Sequence, residues 1–240
     1  MINFNNILEF FLQLIFPPRC PMCGQLVERN TTVCEQCKPQ VRRILPPICN
    51  KCGMNKSDCE CASNRHLFTA CVSPFYYYGA VKNGVRRFKF HDKYSSTTYF
   101  INETAKKVDS EFAGYMIDLV VCVPMHENDL QTRGFNSAEL LAKGIAKKLK
   151  LPCDCTVLTK IYENKKQRTL SAFERVGNVL GVFDVKNPEK VKGKTILLCD
   201  DIFTTGATLD ECAKMLYFGG ADTVLCACSA ITPPLKSREE

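Results

Sequence analysis

The stretch Ile196-Leu197-Leu198-Cys199-Asp200-Asp201-Ile202-Phe203-Thr204-Thr205-Gly206-Ala207-Thr208 decides the fold. Its first four residues are a continuous apolar run, the pattern of a strand buried on both faces. Two acids then stand at the strand tip. A loop of small hydroxyl residues with one glycine follows, and residues 207–218 read as a helix closed by Gly219-Gly220. Such a loop offers backbone N–H groups, three hydroxyls and the positive end of a helix dipole, which together suit a phosphate. The neighbouring carboxylates suit the hydroxyls of a sugar. The pattern predicts a site for a phosphorylated sugar. No GxxxxGK[ST] occurs in the chain, which argues against a P-loop nucleotidase.

Working outward, strands and helices alternate. Residues 222–231 (DTVLCACSAI) read as a last strand, 118–123 (DLVVCV) as another buried strand ended by Pro124-Met125, and 153–159 as a short strand. Phe68 to Gly79 is rich in aromatics and reads as strand or hairpin. Val81 to Phe90 reads as a short basic helix, and Ser137 to Lys150 as a long amphipathic one. This alternation predicts an α/β fold whose parallel sheet is covered on both faces, with ligands bound beyond the carboxyl ends of the strands.

Further upstream the texture is different. Of sixteen cysteines, eight fall between Cys20 and Cys61, as Cys20-x2-Cys23, Cys34-x2-Cys37, Cys49-x2-Cys52 and Cys59-x-Cys61. Two CxxC knuckles supply the four-sulfur tetrahedron that Zn²⁺ favours. Gly24 and Gly53 follow the first knuckle of each half, where a positive φ is often needed. Cys20, Cys23, Cys34 and Cys37 are the expected ligands of one zinc. Cys49, Cys52, Cys59 and Cys61 are those of a second, although their CxC pair is tighter than usual. An iron–sulfur cluster is the alternative that thiolates alone do not exclude; a redox CxxC explains fewer of the four pairs. Residues 17–65 carry few large aliphatics, so metal has to supply the missing stability. Cys122, Cys199, Cys226 and Cys228 lie in apolar runs and read as small buried hydrophobes.

Composition bounds the remaining choices. The chain has 240 residues, 45% hydrophobic and 24% charged, which excludes wholesale disorder and a collagen-like chain. No apolar run reaches the roughly 18–20 residues that span a bilayer. The formal net charge of +7 falls to about +3 once eight thiolates and two Zn²⁺ are counted, so global basicity argues weakly for nucleic acid. Residues 1–16 place Phe4, Ile7, Leu8, Phe11, Leu14 and Ile15 on one helical face. This reads as an amphipathic helix docked on the protein, or on a membrane surface or partner; the polar face has no Lys or Arg, which disfavours the membrane. The segment lacks the basic start and cleavage site of a secretory signal, so a reducing cytoplasm is expected. Three segments result: a helix at 1–16, a zinc-binding Cys-rich domain at 17–65 and an α/β domain at 66–240.

The motif Ile196–Thr208 resembles the phosphoribosyl-pyrophosphate (PRPP) motif of type I phosphoribosyltransferases, with Phe203 where a smaller aliphatic is usual. Val123-Pro124-Met125-His126, Arg133-Gly134-Phe135-Asn136 and Gln167-x2-Leu170-x4-Arg175-x2-Asn178 are similar to stretches of the ComF family, which also begins with a zinc ribbon. The resemblance implies that Asp200 and Asp201 are the catalytic acids and hold the ribose 2′ and 3′ hydroxyls. It implies that Thr204, Thr205, Gly206, Ala207 and Thr208 cradle the 5′-phosphate. Pro124, Met125 and His126 would form the pyrophosphate loop, which often carries a cis peptide, with Arg133 as the nearest fixed cation. Mg²⁺ would arrive with PRPP. A closing loop is implied at 161–172, where Lys165, Lys166 and Arg168 either cover the pyrophosphate or form a solvated loop. His126 is either a satisfied turn residue or a pyrophosphate contact.

Three functions remain open at this point. The first transfers phosphoribose from PRPP to a nucleobase or similar acceptor, for which no segment of the sequence reads as a binding hood. The second is a binding module for DNA uptake in natural transformation, with single-stranded DNA and the competence helicase machinery as partners. The third is a PRPP-sensing regulator. For the second, Lys82, Arg86, Arg87 and Lys89 form either a nucleic-acid patch or a solvated helix face. Thiolates and zinc make residues 17–65 neutral, so the ribbon alone is a poor DNA grip.

Overall fold

The apolar runs of the sequence become the strands of one sheet, and its glycines mark where other segments press against it. A computed structural model of the chain describes residues 17–28, 31–62, 65–90, 95–161 and 181–237. The expected helix at 1–16, nearly all of the 161–172 loop, and Gln167, Leu170, Arg175 and Asn178 lie outside the described residues. In chain order the elements are β1 (Ala70–Val72), α1 (Gly79–Phe90), α2 (Ser95–Glu111), β2 (Leu119–Cys122), α3 (Glu127–Arg133), α4 (Ser137–Leu149), β3 (Leu158–Lys160), β4 (Phe183–Val185), β5 (Thr195–Phe203), α5 (Ala207–Phe218) and β6 (Thr223–Ile231).

The main sheet has the order β1-β6-β5-β2 and every pairing in it is parallel. Ile196 to Cys199 of β5 and Val224 to Cys228 of β6 are fully buried, as a strand covered on both faces requires. Cys199, Cys226 and Cys228 are core residues there, in keeping with their apolar context. The helices α2 and α4 cover one face; α5 covers the other. β3 and β4 form a separate antiparallel pair.

Several elements differ from the sequence reading. The aromatic segment Phe68–Gly79, read as strand or hairpin, holds the short strand β1 and no hairpin: Pro74 lacks an N–H, β1 stops at Val72, and Tyr76 makes a single parallel bridge to Ile231. The strand expected from 153 begins at Leu158, because the Asp154 carboxylate bonds the N–H and hydroxyl of Thr156 in a local turn. The helix α2 has no counterpart in the sequence reading. Its buried stripe mixes Tyr99, Phe100, Ala105 and Val108 with Ser96 and Thr104, so its apolar periodicity is thin. β5 runs on through both acids to Phe203, so Asp200 and Asp201 sit within the strand and not beyond its tip.

The Cys-rich segment is seated on this sheet at two glycines. On α1, a Cβ at Gly84 would lie 2.7 Å from Met22 Sδ and 3.1 Å from Pro21 O. The first knuckle therefore packs against helix backbone, and the buried Ser96 hydroxyl donates to Pro21 O at 2.8 Å. In the second half, a Cβ at Gly53 would lie 2.5 Å from the carbonyl oxygen of Cys71 in β1. The buried Asp58 carboxylate accepts from Tyr76 Oη at 2.5 Å and from Ser237 Oγ at 2.6 Å.

Beneath α1 and α2 lies an aromatic core. The fully buried Phe100 ring lies 5.9 Å from Phe75 and 6.1 Å from Phe88. Phe100→Ala should therefore lower stability by about 3–5 kcal/mol through lost burial and a residual cavity. Denaturant midpoints at unchanged slope measure this; a loss under about 1 kcal/mol would mean that the cluster adds little.

Candidate functional site

Two constellations carry chemistry: the paired sulfur clusters and the carboxyl end of β5. In the first, the Sγ atoms of Cys20, Cys23, Cys34 and Cys37 all lie within 4.8 Å of one another, as do those of Cys49, Cys52, Cys59 and Cys61. Representative separations are 3.7 Å for Cys23–Cys34 and 4.0 Å for Cys49–Cys61. A tetrahedral zinc with Zn–S bonds of ~2.3 Å requires about 3.8 Å between sulfurs. Both sets fit structural Zn²⁺.

The two leading knuckles share one local geometry. Gly24 N donates to Cys20 O and Gly53 N to Cys49 O, each at 2.8 Å. Both glycines hold a left-handed φ, 81° and 76°. The bridges Arg19–Leu26 and Ile48–Asn55 close the two turns in the same way.

At the second constellation, successive strand residues alternate faces, so the two acids are engaged differently. Asp201 accepts a short hydrogen bond from Ser137 Oγ at the start of α4. It also pairs with Lys89 Nζ at 2.9 Å. Asp200 Oδ1 accepts from the Asp201 N–H at 2.8 Å. Burial and then the Asp201 carboxylate push Asp200 up to about 8, against the pull of Lys89 and that N–H. Asp200 therefore holds a proton near neutral pH. One acid is paired with a lysine; its neighbour is a neutral donor and acceptor.

The loop beyond β5 enters α5 with Gly206 as N-cap in the left-handed region, φ 83°. Thr204 is exposed, Thr205 and Thr208 are half-buried, and Thr205 Oγ1 accepts from Ala207 N at 3.4 Å. The first N–H groups of a helix lack intrahelical partners, so this turn leaves backbone donors at the start of α5. Pro124, Met125 and His126 reach the same end of the sheet, because Val123 N donates to Cys199 O at 2.9 Å just before the acids. His126 caps α3, its Nδ1 accepting from Asn128 N at 3.3 Å. All peptides of this turn are trans; among the described residues the cis bond is Pro46–Pro47. Arg133 occupies the exposed last turn of α3. Asn136 fixes the start of α4, its Nδ2 donating to Val123 O at 2.9 Å and its Oδ1 accepting from Ala138 N at 3.0 Å.

The basic helix divides its cations. Lys89 turns to Asp201, and Arg87 lies over Gly24 with its guanidinium donating to Cys23 O at 3.4 Å. Lys82 and Arg86 stay exposed. A cleft of about 600 Å³, lined by Tyr77, Tyr78, Lys82, Thr204 and Thr232, opens beside the loop. The sequence reading missed it because its walls come from the segment between β1 and α1, from α1 itself, and from the segments after β5 and β6. It also missed Ser137, Lys89 as a partner of Asp201, and His66 with Asp210. Only Ser137, beside a helix-capping Asn, had a local cue.

The Double zinc ribbon domain family matches residues 11–72, and the Phosphoribosyl transferase domain family matches residues 99–239. The chain is similar to Competence protein ComFC of Bacillus subtilis, 30% identical over 81% of this chain and 82% of that protein. It is similar to Competence protein F of Haemophilus influenzae, 24% identical over 86% and 93% of the two chains. DNA utilization protein YhgH of Salmonella typhimurium is 27% identical over 87% and 88%. Among the described residues no helix is long and apolar enough to cross a membrane.

Elemental analysis should find two zinc per chain, falling to one in Cys34→Ser; metal-free protein with an unchanged melting curve would refute the structural role. Asp200 gives a second test. Its folded pKa is raised, so its contribution to stability is full below pH ~4 and is lost as pH rises through about 8. Asp200→Asn removes that loss. Its stability relative to the parent should be near zero at pH 4 and rise by more than about 1 kcal/mol by pH 9. A pH-independent difference would show that Asp200 ionises normally.

Proposed function

We propose that this chain, which belongs to the phosphoribosyl transferase domain family as a ComF-type protein, binds PRPP at the carboxyl end of β5 and acts in DNA uptake during natural transformation. The observation that carries the reading is the continuity of Asp200, Asp201 and the 204–208 turn on one strand end, with a glycine N-cap at the helix start. The phosphate would sit on the N–H groups and hydroxyls of Thr204, Thr205, Gly206, Ala207 and Thr208. The ribose hydroxyls would face Asp200 and Asp201. Asp201 accepts from the sugar only if Lys89 gives way, and Lys89 then becomes a cation for the ligand's phosphates. Pro124, Met125 and His126 lie beside the acids and suit the pyrophosphate, with Arg133 as the further cation. Mg²⁺ would accompany the ligand, held mainly by its oxygens and water.

Transfer of phosphoribose needs an acceptor site, and the cleft beside Thr204 offers space for one. A PRPP-sensing or nucleic-acid-binding role needs no acceptor. For single-stranded DNA, the exposed cations of α1 are Lys82 and Arg86, since Arg87 and Lys89 face inward. This favours PRPP chemistry over a DNA grip on α1.

Calorimetric titration with PRPP and Mg²⁺ tests the reading. Asp201→Ala should weaken binding roughly 10- to 150-fold, since charge-assisted hydrogen bonds contribute about 1.5–3 kcal/mol. Gly206→Val should do similar damage, because its Cβ would lie 2.6 Å from His66 Cε1 at a φ of 83°. Unaltered affinity in folded Asp201→Ala would remove the phosphosugar from this site. Pyrophosphate release with nucleobases then separates a transferase from a sensor.

A further inference from the structure

His66 lies between the second sulfur cluster and the phosphate turn. Its side chain is 7% exposed, and its Nδ1 is 2.9 Å from Asp210 Oδ2. The next residue's N–H donates to the other oxygen of the same carboxylate at 2.7 Å. Asp210 belongs to the first turns of α5, so a segment from outside the sheet grips the helix that carries the phosphate turn. The imidazole also fills the space over Gly206, where a Cβ would meet its Nδ1 at 2.8 Å. Phe203, the last residue of β5, meets the imidazole edge-on at 5.3 Å.

The other side of His66 leads to the metal cluster. Its ring stacks on Phe68 at 4.8 Å with planes 11° apart. Phe68 is fully buried, and its carbonyl accepts a short hydrogen bond from Lys51 Nζ, which also lies 5.6 Å from the ring centroid. Lys51 stands between Cys49 and Cys52, in the knuckle that those two sulfurs close. An unbroken series of contacts thus runs from the second cluster through Lys51, Phe68 and His66 to Gly206 and Asp210.

Two physical effects follow. An Asp210 carboxylate near the mouth of an anion site opposes a phosphate; hydrogen bonds from His66 and Leu67 spread its charge and hold it aside. A left-handed glycine turn with nothing packed on it relaxes, and the imidazole removes that freedom. We propose that His66 is the positioning residue of the phosphate turn and that the second cysteine cluster, through Lys51 and Phe68, fixes it. Metal held by Cys49, Cys52, Cys59 and Cys61 and phosphate held at 204–208 are then thermodynamically coupled. This rests on the reading of that turn as the phosphate site, and linkage makes the coupling reciprocal.

The test uses the full zinc-loaded chain with PRPP and Mg²⁺ as probe. His66→Ala should weaken PRPP about 5- to 50-fold, within the usual span of such couplings. It should speed amide exchange at residues 203–210 in the ligand-free protein. His66→Asn, which keeps a donor at the Nδ1 position, should recover much of both. Saturating PRPP should slow release of one of two zinc ions to a chromophoric chelator at least fivefold in the parent, and not in His66→Ala. Parental affinity and exchange in folded His66→Ala would overturn the positioning role; zinc release indifferent to PRPP would overturn the coupling. If the parent binds no PRPP, the phosphate reading falls by itself, and the exchange measurement still decides what His66 does to the turn.

Discussion

A parallel sheet has to be covered on both faces and guarded at its edges, and β1 is the strand on which that requirement falls. It has three residues and one hydrogen-bonded neighbour, β6. The second cysteine knuckle packs against it, with Gly53 close to the Cys71 carbonyl. Glycine allows a backbone-to-backbone approach that any side chain would hold apart. From that seat the surrounding contacts follow: Lys51 reaches Phe68, and the Asp58 carboxylate gathers Tyr76 and Ser237. The first knuckle repeats the solution against α1 at Gly84. The cysteine-rich segment is therefore a wall of the sheet and not an appendage.

The site at the end of β5 is arranged to carry little net charge before anything binds. Asp200 holds its proton because burial and a neighbouring carboxylate disfavour a second negative charge. Asp201 is balanced by Lys89 and hydrogen-bonded by Ser137. The strand end thus presents one committed counter-ion and one neutral acid. The cation stands on α1, the helix that also receives the first knuckle, so ribbon, helix and acid form one mechanical unit.

Much of this was legible in the sequence. The buried runs of β2, β5 and β6, the helix after TTGAT and the two sulfur quartets each have a local pattern, because each is set by neighbours within a few residues. The loop residues Thr204 to Thr208 belong to the same kind. What was not legible depends on distant partners. Lys89 reads as one of four surface cations until α1 is laid beside β5. His66 is an isolated histidine in a polar stretch until α5 brings Asp210 to it. The helix α2 hides because its buried stripe includes the hydroxyl residues Ser96 and Thr104, and Ser96 finds its partner in the distant Pro21 carbonyl. The acids were expected at a tip, yet β6 continues alongside and keeps them in the strand.

The pairing of β1 with β6 has a consequence for how the chain is made. Ala70 lies opposite Leu225, so the first strand of the sheet to be synthesised waits for the last. At about 5–20 residues per second, the intervening chain takes roughly 8–30 s to emerge. Through that interval β1 has no strand beside it, and a bare apolar edge invites association with other nascent chains. The cysteine-rich segment is complete by Cys61, before β1 is made. A knuckle that packs on β1 through Gly53 is therefore already made when that strand emerges.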